Sequence, residues 1–305
     1  MHRPSCDNAG LACTAMAHVL AFLAIGVSPL QATCLSTHLA WDQQTEATEV
    51  LVSVGEHRLN FRVIEGSRPT VLLEAGGGFD SRQWNALAPR LAEATGATVV
   101  SYDRAGFGNS DLPDTPVDLR EEVEWLWGGL GQLELDRDLI LVGHSFGGWM
   151  IRLFASEHPD AVRGMVFVDA FTNEFVDLLG VEYLDDRPGI GKLPFDTSAT
   201  DDFTPMQRAL IRMVGDGLGP KMETMRGTSI PSGVPVVVIA SGRRFLLPEE
   251  EHEAWRLAQE RLAASIEGAT LIVAEESGHM IPAQQPDLIV EAVVAVIQRS
   301  SSVNR

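Results

Sequence analysis

Short apolar runs recur along this chain with room for a helix between each pair, and that alternation limits the folds open to it. The runs cover residues 71–73, 97–101, 139–142, 165–168, 236–239 and 271–273. Their length and β-branching predict strands, and apolar residues at successive positions predict burial on both faces. Helical patterns lie between them around residues 84–94, 120–127, 148–157, 249–266 and 286–298. An α/β protein with a mostly parallel sheet, covered by helices on both faces, follows. Residues 49–54 and 57–64 alternate around Gly55-Glu56, which predicts a β-hairpin adding an antiparallel edge. With 305 residues, 45% of them apolar, the chain can bury a large core in one such domain.

One interval breaks the alternation. Between residues 170 and 232 there is no strand pattern, only scattered Gly and Pro and two amphipathic stretches near 174–184 and 205–214. An insertion there lies beyond the carboxyl ends of the strands, where open α/β sheets bind ligands. A small helical lid over about 171–232 is expected. Phe171, Phe175, Leu178, Leu179, Leu210 and Ile211 give it apolar residues to pack.

Gly143-His144-Ser145-Phe146-Gly147 is a G-x-S-x-G pattern with an apolar run before it and helical spacing after it. A serine on so tight a strand-to-helix turn has its hydroxyl pushed out of the fold, and flanking glycines leave room for the strained backbone. A hydroxyl becomes a useful nucleophile once a base takes its proton, an acid orients the base and donors stabilise the oxyanion. His279 is the expected base, since it follows the last strand at the same sheet edge as Ser145. His144 is expected to pack in the elbow. Asp169, at the end of the run 165–168, is the expected acid. The alternatives are Glu249, Glu250 and Glu251, which read better as the first turn of a helix after Pro248, where carboxylates favour the macrodipole. The oxyanion donors are expected from the N–H of Phe146 and from Gly77, within the Gly76–Gly78 turn that follows an early strand. No His-x-His or Cys cluster has metal-ligand spacing, so neither metal nor organic cofactor is expected.

Charge narrows the partners. Asp and Glu number 42 against 23 Lys and Arg, a net charge of −19. Such a surface repels phosphate backbones and anionic lipid heads, so nucleic acid and membrane partners are not expected. The N-terminus differs in kind. Residues 8–41 contain no Asp, Glu, Lys or Arg, and 19–27 form a short apolar core after Arg3, with Pro29 and the small Ala32 behind it. This predicts a signal peptide over residues 1–32, a linker over 33–48, one domain over 49–300, and a secreted or periplasmic product. An uncleaved anchor is the alternative. Cys6 and Cys13 would leave with the leader, and Cys34 would remain alone. Residues 30–34 resemble a lipoprotein box with its leucine one position too far away.

Taken in order, Gly77, the segment Asp103-Arg-Ala-Gly-Phe-Gly-Asn-Ser110, Gly143–Gly147 and Gly278-His279 resemble the α/β-hydrolase superfamily over about residues 50–298. The resemblance implies an α/β-hydrolase fold, structural roles for Asp103 and Arg104, and the less common placement of the acid at Asp169. Ala75 departs from the histidine many members carry before the glycine. A serine nucleophile argues against the superfamily's haloalkane dehalogenases and epoxide hydrolases, which attack with aspartate. The expected function is a serine hydrolase cleaving a small-molecule ester, lactone, thioester or related acyl substrate through an acyl-enzyme. A slow-turnover ligand receptor that retains the triad, a C–C hydrolase and a cofactor-free peroxidase are the alternatives on the same framework.

Overall fold

Eight strands make one sheet in the order β1-β2-β4-β3-β5-β6-β7-β8. They are β1 Thr48–Val54, β2 His57–Ile64, β3 Ser67–Glu74, β4 Ala97–Tyr102, β5 Leu139–His144, β6 Val162–Val168, β7 Val236–Ser241 and β8 Thr270–Ala274. The first hairpin joins antiparallel to β4, and every later pairing is parallel. The computed structural model describes residues 47–303 apart from 116, 189, 194–202, 216 and 246. The expected leader, nearly all of the linker and the three cysteines lie outside the described residues.

Successive strand residues point to opposite faces, so an all-apolar strand must be covered twice. In β5, Leu139 and Leu141 face one core cluster with Val123, Leu126, Leu153 and Trp255, while Ile140 and Val142 face another with Leu91, Ile289 and Val293. The first face is covered by α2 (Leu119–Gln132), α3 (Gly147–Glu157) and α8 (Glu249–Ser265). The second is covered by α1 (Ala88–Thr95) and α10 (Pro286–Val303), and the short α9 (Ile281–Gln284) precedes α10. Each fully buried aliphatic side chain contributes about 1.5–3 kcal/mol of transfer free energy, which is why the middles of the central strands are mostly aliphatic, with buried polar residues such as Glu74 and His144 at their carboxyl ends. The helix expected around 84–94 is divided. A 3-10 turn covers Ser81–Trp84, and α1 begins only at Ala88, with Pro89 in its first turn.

Between β6 and β7 the described residues form four helices, α4 (Asn173–Leu179), α5 (Val181–Asp185), α6 (Pro205–Val214) and α7 (Leu218–Arg226). The single helix expected near 174–184 is split because Gly180 adopts φ 89°, outside the helical region. Helix α6 matches its expected span. Thr204 and Gln207 close a capping box around its start, and Pro205 sits in its first turn. Helix α7 was not expected from the sequence.

Candidate active site

The carboxyl ends of β3, β5, β6, β7 and β8 lie side by side, with Glu74 opposite Gly143, His144 opposite Val168 and Ser241 opposite Ala274. The expected site residues therefore meet at one sheet edge. Ser145 has φ 53°, a left-handed conformation costly for a residue with a Cβ. It is held there from both sides: its N–H donates to Val168 O, and its carbonyl accepts from Gly148 N–H and Phe171 N–H. The flanking glycines are needed for space. A Cβ on Gly143 would lie 2.4 Å from Gly147 O, and one on Gly147 would lie 2.5 Å from Glu74 O.

His279 Nε2 is 2.9 Å from Ser145 Oγ, and His279 Nδ1 is 2.6 Å from Asp169 Oδ2. Asp169 is fully buried and, like Ser145, left-handed, at φ 41°. Its Oδ1 accepts from Ser241 N–H at 2.9 Å, so the carboxyl end of β7, whose following loop has no carboxylate of its own, supplies a donor instead. Burial alone would raise this carboxyl. The His279 hydrogen bond and charge and the Ser241 N–H outweigh it and hold Asp169 below the usual carboxylate range. The Phe245 ring stacks on His279 at 4.8 Å, and Trp255 meets it edge-on at 5.4 Å. Sequence reasoning found neither aromatic partner.

The alternative acids lie elsewhere. Glu249 is exposed beside Arg244. Glu251, expected as a surface first-turn residue, is only 1% exposed. It accepts from Tyr183 Oη at 2.5 Å and from Arg187 Nη2 at 3.0 Å, both on the segment between β6 and β7. A buried carboxylate needs such partners, and its helix-start position gave no hint of them.

Gly77 lies beside the elbow, since a Cβ there would sit 3.5 Å from Phe146 Cβ and 3.6 Å from Met213 Cε of α6. The preceding peptides are pinned. Arg104, 2% exposed, donates to Ala75 O and Gly76 O at 2.6 Å each and to Glu74 Oε1 at 2.5 Å. The Gly76–Gly77 peptide is trans, so the Gly77 N–H points opposite to the carbonyl that Arg104 holds. Among the described residues neither this N–H nor that of Phe146 has a hydrogen-bond partner. Asp103 matches its expected structural role, accepting from Ser81 N–H, Asn60 Nδ2 and Asn109 N–H. Among the described residues no group of three or more His, Cys, Asp and Glu side chains is placed to hold a metal ion.

A serine, an imidazole and a buried carboxylate in hydrogen-bonded series, with two free N–H groups nearby, are the parts that acyl transfer requires. The fold and these motifs have known counterparts. A model of the alpha/beta hydrolase family matches residues 71–292, and the chain belongs to that family. It is 34% identical over 118 residues to an uncharacterized protein of Mycobacterium tuberculosis, covering 39% of this chain and 33% of that one. It is 32% identical over 117 residues to a 1-acylglycerol-3-phosphate O-acyltransferase of Arabidopsis thaliana, covering 36% of this chain and 27% of that one. The match thus spans about a third or less of these relatives' length. A bromoperoxidase of Bacillus anthracis superposes with a TM-score of 0.56 at 18% identity, over 82% of this chain and 100% of that one. At that identity the likeness concerns the fold.

Proposed function

We propose that the protein is a serine hydrolase that cleaves an ester or related acyl compound through an acyl-enzyme. The observation that carries this reading is the unbroken hydrogen-bonded series from Ser145 Oγ through His279 to buried Asp169. His279 Nε2 takes the Ser145 proton as Oγ attacks the substrate carbonyl, and Asp169 holds the Nδ1–H and stabilises the imidazolium. The carbonyl oxygen becomes an oxyanion that the Phe146 and Gly77 N–H groups receive. His279 then protonates the leaving group. Water, deprotonated by the same nitrogen, cleaves the acyl-enzyme and restores the serine. Helices α4–α7 act as a lid: a Cβ on Gly77 would meet Met213 and one on Gly78 would meet Leu210, both from α6. These apolar residues over the oxyanion loop favour an uncharged substrate there.

The test is labelling by a fluorophosphonate probe together with turnover of a p-nitrophenyl ester and lactone panel. Modification mapped to Ser145 with multiple turnover supports the reading. Labelling without turnover supports the slow receptor, and no labelling at Ser145 ends the serine-hydrolase reading. Export through a leader at residues 1–32 is part of the same proposal. N-terminal sequencing of protein from a secreting host should begin near Thr33; an intact residue 1 on a membrane-bound product would refute it.

A further inference from the structure

His144, directly before the serine, is fully buried, and both of its ring nitrogens have partners. Nε2 lies 2.9 Å from the carbonyl oxygen of His279. A carbonyl only accepts, so Nε2 carries the proton. Nδ1 is then an acceptor, and Gln83 Nε2 donates to it at 2.7 Å. The other end of the same amide, Gln83 Oε1, accepts from Gly76 N–H at 2.8 Å. Each assignment forces the next. Burial, and after it the proximity of His279, lowers His144 to about 3. The ring therefore stays neutral near pH 7, with one donor and one acceptor, as the series needs.

We propose that Gln83 and His144 form a positioning relay that sets the spacing between the oxyanion loop and the loop carrying His279. Its catalytic consequence rests on the serine-hydrolase reading. The two loops leave different strands, β3 and β8, which are not neighbours in the sheet. Among the described residues no main-chain hydrogen bond joins residues 75–79 to residues 275–282. The relay bridges them. Arg104 fixes the oxyanion loop by its carbonyls, and Gln83 fixes it by the Gly76 N–H, leaving Gly77 N–H free. At its other end His144 holds the main chain of the very residue that moves the proton. In the transition state charge grows on the oxyanion and on the imidazole together, so their separation matters there more than in the bound substrate. Neither Gln83 nor His144 transfers a proton. Gln83 is half-buried on the 3-10 turn Ser81–Trp84, outside every motif, which makes it the better place to cut the relay.

Gln83→Met keeps the length of the side chain and removes both its donor and its acceptor. With p-nitrophenyl ester as substrate, kcat should fall roughly 10- to 100-fold, the scale of a small misplacement of catalytic groups, while KM stays within about threefold. Hydrogen exchange by mass spectrometry, read on the whole folded protein, should rise both at residues 76–79 and at residues 278–282. Unchanged kcat in an otherwise active enzyme, or faster exchange confined to residues 76–79, would overturn the relay and leave Gln83 a local cap. If wild type neither turns over esters nor takes the fluorophosphonate label, the hydrolase reading falls. The exchange measurement then still decides the relay: a rise at both loops upholds it, and a rise at one loop refutes it.

Discussion

Strands β5 and β6, which deliver Ser145 and Asp169, are each hydrogen-bonded to neighbours on both sides. Among the described residues, helices α4–α7 meet the rest of the molecule through a small set of polar side chains. Arg152 reaches Glu174 and Thr228, and Glu251 holds Tyr183 and Arg187. The remaining polar bonds of this segment are largely internal, such as Asn173 Nδ2 to Met225 O and Leu218 N–H to Asp185 Oδ1. Strand pairing on both sides fixes the positions of Ser145 and Asp169, as a catalytic group requires to within about 0.5 Å. The cover adds no strand to the sheet and rests on the platform mainly through buried side chains such as Phe175, Leu184, Met222 and Met225, so a change at its polar anchors should loosen it before it disturbs the sheet. Substitutions in the two regions should therefore fail differently.

The largest effect belongs to the platform. Ser145→Ala should lower kcat on p-nitrophenyl esters by on the order of 10⁴–10⁶-fold with no loss of Tm, since among the described residues the half-buried hydroxyl bonds only His279. Activity above about a tenth of wild type would break the comparison at its root. Asp169→Asn should follow, at roughly 10⁴-fold, because an amide cannot hold His279 in the required tautomer. Glu249→Gln and Glu250→Gln should each stay within a few-fold, as their positions begin an exposed helix turn. A collapse in either, with Asp169→Asn active, would move the acid to α8.

The same division governs what the sequence reveals. Ser145, Asp169 and His279 are legible because strand ends, chain order and an elbow pattern are local signals. The strands themselves read one or two residues short where they end in polar residues, since buried Glu74, Tyr102 and His144 look like loop residues until their partners are known. In the cover, α6 is legible from Thr204, Pro205 and Gln207, three adjacent cues. Helix α7 is not, because Gly219 and Pro220 near its start read as loop punctuation. Gln83 and Glu251 are silent for another reason. Their partners lie 61 and 68 residues away, at His144 and Tyr183, so nothing nearby distinguishes them from surface polar residues.

Glu251 is where the two regions can be uncoupled. Glu251→Ala removes the acceptor for both Tyr183 Oη and Arg187, freeing α5 beyond the break at Gly180. Removing the buried carboxylate leaves the partly exposed Tyr183 and Arg187 without their anchor, so this part of the cover should loosen. KM should rise roughly 3- to 10-fold with kcat nearly unchanged, and limited proteolysis between residues 180 and 192 should quicken. A fall in kcat without a change in KM would place Glu251 in the platform instead.

The smallest effect concerns Glu122, at the junction. It is half-buried on α2, within reach of the charges of Arg104 and Glu74 in the platform and of Lys221 on α7. Burial raises it to about 7, more than Arg104 and Lys221 lower it, and Glu74 and Asp118 push the same way as burial. In the unfolded chain a glutamate titrates near its ordinary value of about 4.3. Between those values the folded state binds more protons than the unfolded one. Stability from this group is therefore greatest below the unfolded value, declines as pH rises toward about 7, and is level above it. Glu122→Gln removes the ionisation, so its Tm relative to wild type should be higher at pH 8 than at pH 5, by the equivalent of about 1–3 kcal/mol. An equal difference at both pH values would show that water reaches Glu122 in the folded protein. If combining it with Glu251→Ala shrinks the pH-dependent part, the opened cover is what wets this carboxyl. If that part is unchanged, α7 stays seated when α5 lets go, and the cover moves as two pieces rather than one.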